Sequence, residues 1–275
     1  MDEVIDEPFT RSADYCTQSH IVAIENDMFI GGIELIIDEP ELIMLFDPII
    51  KSKNSHRVTR RLLSKAVETA RAMKAGKLFS LIHKSNERLA CIQAVLIDIG
   101  FDLGMEKVLF RRKPEPLLAT EHDHQIKYRS LKDIGEDHFF KIFKQVYEPD
   151  IFESDPRKCF SGLIRTAERS KRFYPEDWNV AYIRDKAIGL TMPQLHDEKG
   201  ELGSNYHIGV IHDFRGKGIG TILQKKAIMT LIKRGVMYIV GSTAANNTPM
   251  KRIFKSLHYK FFDYQYFYRY KGSDL

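Results

Sequence analysis

Between His207 and Thr221 the chain reads His-Ile-Gly-Val-Ile-His-Asp-Phe-Arg-Gly-Lys-Gly-Ile-Gly-Thr, and Ile219, Ile222, Leu223, Ala227 and Leu231 then recur at helical spacing until Gly235. This order is a strand delivered through a glycine-rich turn into a helix, and it restricts the chain to folds that pack helices on a sheet. Glycines at 216, 218 and 220 keep side chains away from one spot. Backbone amides and the positive end of the helix dipole converge there, forming an anion site suited to a pyrophosphate. Arg215 and Lys217 add positive charge at the same place.

The flanking sequence extends the pattern. Phe139, Phe140, Ile142, Phe143, Val146 and Tyr147 fall on one face of a helix over 136–147, and Asp155-Pro156 opens another that turns Cys159, Phe160, Leu163 and Ile164 inward. Val180 to Ile183, a turn at Arg184-Asp185-Lys186, and Ala187 to Met192 predict a hairpin. A strand over 206–211 precedes the glycine turn, and a strand over 237–240, a helix over 249–257 and an aromatic strand up to Lys271 follow it. The first half closes in the same way, with a strand over 77–83, a helix and a strand from Phe101 to Lys113, and the tails Phe101–Lys113 and Tyr259–Lys271 superimpose without a gap. That match reads as a duplicated unit. Pro114 and Pro116, followed by polar residues up to His124, mark a linker. The expected organisation is two α/β domains, each a central mixed sheet flanked by helices: 1–113, a linker 114–124, and 125–275.

A length of 275 residues accommodates two domains, and 43% hydrophobic with 29% charged residues excludes a disordered or fibrous chain. The net charge of +5 conceals a split, with −11 in the first fifty residues and +16 in the rest, where the anion site lies. Cys16, Cys91 and Cys159 are too far apart for a disulfide framework or a zinc site. The chain has no apolar run of membrane-spanning length, and its acidic start is unlike a secretory signal, so a cytoplasmic protein without membrane association is expected. No nucleic-acid recognition motif accompanies the basic remainder.

Three kinds of phosphate-binding turn are separable by spacing. A P-loop needs Ser or Thr after its lysine, whereas Gly218 follows Lys217. A dinucleotide fingerprint needs a third glycine at 221, which is Thr, and the chain that follows is too short for a doubly wound domain. Arg215-Gly216-Lys217-Gly218-Ile219-Gly220 instead resembles the [RQ]-x-x-G-x-[GA] motif of the GCN5-related N-acetyltransferase (GNAT) superfamily, and the strand before it, the helix after it and Asn247 before a further helix agree. The resemblance covers residues 124–271. It implies acetyl-CoA as co-substrate, held by Ile208, Val210, Arg215, Gly216, Lys217, Gly218, Ile219, Gly220, Thr221 and Asn247, with no metal. Asn247 is equally suited to cap the helix that follows. In the first half, aligning Ala66 with Ala227 puts Asn54 to Thr59 where Arg215 to Gly220 stand, and every glycine is gone. That half is expected to be a degenerate GNAT-like domain without a pyrophosphate loop.

The resemblance implies direct attack by an amine of a small-molecule or peptide acceptor on the acetyl thioester. The amine must lose a proton, and His207 is the first candidate base because imidazole titrates nearest neutrality. Packing alone is an equally open role for a strand histidine. Glu201 and His212 are lesser candidates. The Val210 amide is expected to face the thioester oxygen. Many relatives place a tyrosine acid seven residues after the asparagine, and here that position is Phe254. Tyr206, Tyr259 or Tyr264 substitutes, or water does, or the chain is a non-catalytic acyl-CoA-binding module. His122 and His124 are expected to be solvent-exposed rather than metal ligands.

Overall fold

The computed structural model describes residues 3–7, 17–38, 42–117, 126–149, 151–169, 172–196 and 199–272; Cys16, His122 and His124 fall outside them. The elements follow the order β1 (Glu3–Glu7), β2 (Thr17–Glu25), β3 (Met28–Asp38), β4 (Leu42–Leu45), β5 (Ile49–Ile50), α1 (Ser55–Ala72), β6 (Lys77–His83), α2 (Leu89–Asp98) and β7 (Phe101–Arg112). Then come β8 (Lys127–Ser130), α3 (Leu131–Ile134), α4 (Glu136–Val146), α5 (Pro156–Arg169), β9 (Asn179–Ile183), β10 (Lys186–Leu195), β11 (Leu202–Val210), α6 (Ile219–Lys233), β12 (Tyr238–Ala244), α7 (Thr248–Ser256) and β13 (Lys260–Tyr270).

Two compact units result, one of residues 1–108 with 263–275 and one of residues 109–262. The first orders its strands β1-β2-β3-β4-β6-β13, the second β8-β9-β10-β11-β12-β7. In each, one strand pair is parallel, β4 with β6 and β11 with β12, and a helix, α1 or α6, makes the crossover. The sheets are therefore mixed, as the duplicated pattern predicts.

The limits of the units fall inside the closing strands, after Val108 of β7 and after Phe262 of β13. Gln265 to Arg269 of β13 pair with His83 to Phe79 of β6, and the Tyr270 hydroxyl accepts from Arg71 at 2.8 Å. The end of β7 belongs to the second unit, where Phe110 stacks on Phe254 at 4.9 Å and Arg112 Nη1 donates to the Leu257 carbonyl at 2.8 Å.

In the second unit, aromatic residues of α4 and α5 pack on one sheet face. Phe139, Phe143 and Phe160 join Trp178, Val180, Leu190 and Met192 there. Asp155 starts α5 by accepting from the amides of Arg157 at 2.7 Å and Lys158 at 3.1 Å. On the other face α6 buries Ile219 and Leu223 against Ala181 and Ile188. The hairpin turn has positive φ at both Arg184 and Asp185, the geometry of a two-residue β-hairpin loop. In the first unit α1 buries Val58, Leu62, Leu63, Ala66 and Ala70 over Ile21, Ile33 and Leu35. No helix precedes β2 among the described residues.

A polar latch crosses the ends of β4 and β6. The Asp47 carboxylate bonds the His83 ring, and accepts from the His83 amide at 2.9 Å and the Asn86 side chain at 3.1 Å; Gln265 meets the other ring nitrogen at 2.9 Å. The bond to Asp47 holds the imidazole above its ordinary value. Burial pushes the Asp47 carboxyl up, but the bonds from His83 and Asn86 outweigh it and hold the group low. The His83 contribution is thus complete below pH 6.5 and is lost as pH rises through the raised value, while that of Asp47 is lost as pH falls through its lowered value. Melting temperature should fall as pH rises from 6.5 through the raised His83 value, and His83→Gln should flatten that slope at a cost of roughly 1–2 kcal/mol below pH 6.5. A variant with the wild-type pH slope, measured by calorimetry, would remove this role from the latch.

Candidate active site

β11 is longer and set earlier than the expected strand over 206–211, and its pairing is uneven. On one side it follows β10 along its length, from Leu195↔Gly203 to Gly189↔Val210. On the other, its partners on β12 run only from Leu202↔Tyr238 to Ser204↔Val240, although the strands continue to Val210 and Ala244. The two strands part beyond Ser204. The Ile211 amide donates to Ile188 at 2.9 Å, so the antiparallel alternation turns the amides of Ile208 and Val210 away from β10 and toward the parting. The Val210 carbonyl points the same way and accepts from Arg215 Nε at 3.1 Å.

The glycine turn lies at the end of that strand. Gly216 and Gly218 have φ of 74° and 79°, left-handed backbone that L side chains rarely adopt, and beyond the adjoining residues nothing lies within 4 Å of where a Cβ would stand at either. Gly218 is the N-cap of α6, whose end receives no side-chain cap. The amides of Ile219 and Gly220 at the start of this fifteen-residue helix thus receive no capping side chain from Gly218. Thr221 lies inside the first turn, its amide donating to Gly218 at 3.0 Å, and Ile219 is buried as an anchor. Gly220 serves packing, since a Cβ there would meet Ile253 Cδ1 of α7 at 2.8 Å. Lys217 Nζ bonds the Asp213 carbonyl at 2.9 Å, and Arg215 pairs with Glu148 at 2.9 Å. This is a cradle of amides and cations with room left for an anion.

On the far side of the parting, Asn247 caps α7 by accepting from Met250 at 3.1 Å, with proline in the first turn. Phe254 is buried, and its ring lies on Gly241 of β12, where a Cβ would stand only 2.5 Å from it. Its ring also meets that of Tyr259 at a tilt, centroids 4.9 Å apart.

His207 is half-buried on the α4 face, its ring 4.8 Å from that of Phe143. Gly209, next on that face, admits α4: a Cβ there would stand 2.4 Å from Val146 Cβ. The other base candidates are placed less well. Glu201 is exposed at the start of β11, the opposite end from the glycine turn, and His212 is an exposed turn residue beside Asp213. Among the tyrosines, Tyr206 is 45% exposed, Tyr264 belongs to the first unit, and Tyr259 is buried with its hydroxyl accepting from Gln224 at 2.8 Å. Burial raises the Tyr259 phenol well above its ordinary value. Sequence patterns missed Glu148, Asn205 and Gln224, because only tertiary contacts bring these polar side chains to the strand and the turn. No three His, Cys, Asp or Glu side chains among the described residues are grouped as metal ligands, and no helix is long and apolar enough to cross a membrane.

The equivalent place in the first unit is built differently. Under the alignment of Ala66 with Ala227, Ser55 stands where Gly216 does, and Ser55 is already in α1. The chain after β4 returns to β3, with Ile49 and Ile50 pairing with Gly32 and Gly31.

The second unit is a helix–sheet–helix sandwich with one parted parallel strand pair beside a glycine-lined helix end. Residues 137–259, within the second unit, match the acetyltransferase (GNAT) family. A mycothiol acetyltransferase of Thermobifida fusca is 24% identical over 161 residues, 54% of this chain and 48% of its own length. An acetyltransferase of Pectobacterium atrosepticum is 30% identical over 96 residues, 35% of this chain and 66% of its own length. The chain thus spans about half of the first relative and just under two thirds of the second. Among solved structures, a GCN5-related N-acetyltransferase from Sphaerobacter thermophilus superposes with TM-score 0.69 at 15% identity, covering 93% of this chain and 82% of its own. A tandem GNAT protein from the clavulanic acid biosynthesis pathway gives 0.63 at 12%, covering 94% and 84%. At such identities these likenesses establish the fold, a tandem GNAT-type architecture over both units.

Proposed function

We propose that the glycine-bearing domain, read as residues 125–275, binds acetyl-CoA and transfers its acetyl group to an amine of a small-molecule or peptide acceptor. Residues 1–113 would be a degenerate partner domain that binds no cofactor. The observation that carries the reading is the coincidence, in one unit, of the parted β11–β12 pair with an uncapped α6 end reached through Gly216 and Gly218. The open space at both glycines fits a pyrophosphate.

Acetyl-CoA supplies an activated acyl thioester. Arg215, Lys217 and the amides from Gly216 to Gly220 would hold its diphosphate, and the outward amides of Ile208 and Val210 would bind the pantetheine arm and the thioester oxygen. Asn247 borders the same parting. His207 would accept the proton that an ammonium must lose before its nitrogen can attack. With Phe254 in the usual tyrosine position and Tyr259 buried, the proton for the departing sulfur would come from solvent.

Phe254 also favours a second reading, a non-catalytic acyl-CoA-binding module. Calorimetric titration with acetyl-CoA, followed by thiol-release assays over an amine library, separates the readings. Saturable binding with thiol release on at least one amine is expected. Absence of binding would sink both readings, and binding without turnover on any amine would leave the module.

A further inference from the structure

The ladder between β10 and β11 slips once. Its pairs run from Gly189↔Val210 to Met192↔His207, and the next is Pro193↔Asn205, which leaves Tyr206 as an extra residue. In a regular strand, residues 205 and 207 would share a face. The bulge separates them: Asn205 reaches Gln224 of α6, while His207 packs on Phe143 of α4, on the opposite face of the sheet.

A bulge is locally underpaired, and Pro193 has no amide hydrogen to contribute. Asn205 supplies bonds in its place. Its Oδ1 accepts from the Met192 amide at 3.0 Å and the Thr191 hydroxyl at 2.9 Å, and its Nδ2 donates to Gln224 Oε1 at 2.9 Å. Gln224 Nε2 in turn donates to the Tyr259 hydroxyl at 2.8 Å. Thr191 and Gln224 are wholly buried and Tyr259 nearly so, so this polar chain runs where an unmade bond would be costly.

We infer that Asn205 is a positioning residue for the proposed transfer: held by Thr191, Met192 and Gln224, it fixes the bulge at Tyr206. It thereby sets the face on which His207 lies and the side toward which the amides of Ile208 and Val210 point. The kinetic part of this inference rests on the acetyl-transfer reading; the geometric part does not.

Asn205→Ala removes all three bonds, and Asn205→Asp keeps the two accepted ones while the Gln224 amide turns over to donate to it. For Asn205→Ala, kcat should fall about 10- to 100-fold with KM for acetyl-CoA changed less than about 3-fold, and Asn205→Asp should recover part of the loss. In NMR spectra the His207 ring resonances should shift and the Met192 amide should lose protection from exchange. Thr191→Val, which removes one bond at nearly constant volume, should show a smaller loss of the same kind, and it carries the test if Asn205→Ala does not fold. Unchanged His207 resonances and Met192 protection would overturn the inference. So would a kcat loss that merely tracks lost acetyl-CoA affinity and melting temperature. If the wild type transfers to no amine while the NMR changes appear, the proposed function fails and the positioning role stands.

Discussion

Gly218→Val is expected to weaken acetyl-CoA binding by at least about 100-fold, the equivalent of roughly 3 kcal/mol. Two effects add. Gly218 has φ of 79°, and a β-branched residue held there carries strain of order 1–3 kcal/mol. The new side chain would also project into space that nothing beyond the adjoining residues enters within 4 Å, the volume proposed for the diphosphate. Because it meets no protein atom beyond those neighbours, its cost to the fold is strain alone, whereas its cost to binding includes exclusion of the ligand. Affinity should therefore fall further than melting temperature accounts for. Ser55→Val, in the stretch of the first unit that aligns with the glycine turn, should leave acetyl-CoA affinity within about 2-fold of wild type, since no glycine cradle exists there. Calorimetric titration of both variants checks the pair of outcomes, and an unchanged dissociation constant for Gly218→Val would exclude this turn as the anion site.

His207→Gln should lower kcat by about 10²- to 10⁴-fold, the range for loss of a positioned general base, with acetyl-CoA affinity little changed. Glutamine keeps polarity and much of the volume beside Phe143 but does not take a proton from an ammonium. The ring stands on the α4 face, whereas the glycine turn leads into α6 on the other, so chemistry and diphosphate binding are separable. Steady-state kinetics with an accepted amine provide the measurement. A loss smaller than about 3-fold would make His207 a packing residue against Phe143, the role that strand histidines otherwise have.

Much of the architecture is legible along the chain because its signals are local. The helical spacing of Phe139, Phe143 and Val146 places α4, Asp155-Pro156 starts α5, and the glycines at 216 and 218 announce a left-handed turn before α6. Non-local pairing is not legible in the same way. β7 and β13 close the two repeats with tails of equal length, and only their neighbours show that β13 lies beside β6 and β7 beside β12. Asn205 and Gln224 look like unremarkable polar residues in their own segments. They become a buried chain because a one-residue bulge turns one of them onto α6.

The sequence by itself determined the α/β class, the duplication, the anion-suited turn at 215–221 and the loss of every glycine from the corresponding stretch of the first half. These follow from backbone preference and apolar period, which neighbouring residues settle among themselves. The tertiary structure alone decided where β11 leaves β12, which amides face that parting, on which face His207 lies and that Tyr259 is buried against Gln224. Each depends on strand register and helix packing, and one extra residue at Tyr206 reverses the outcome for every side chain after it.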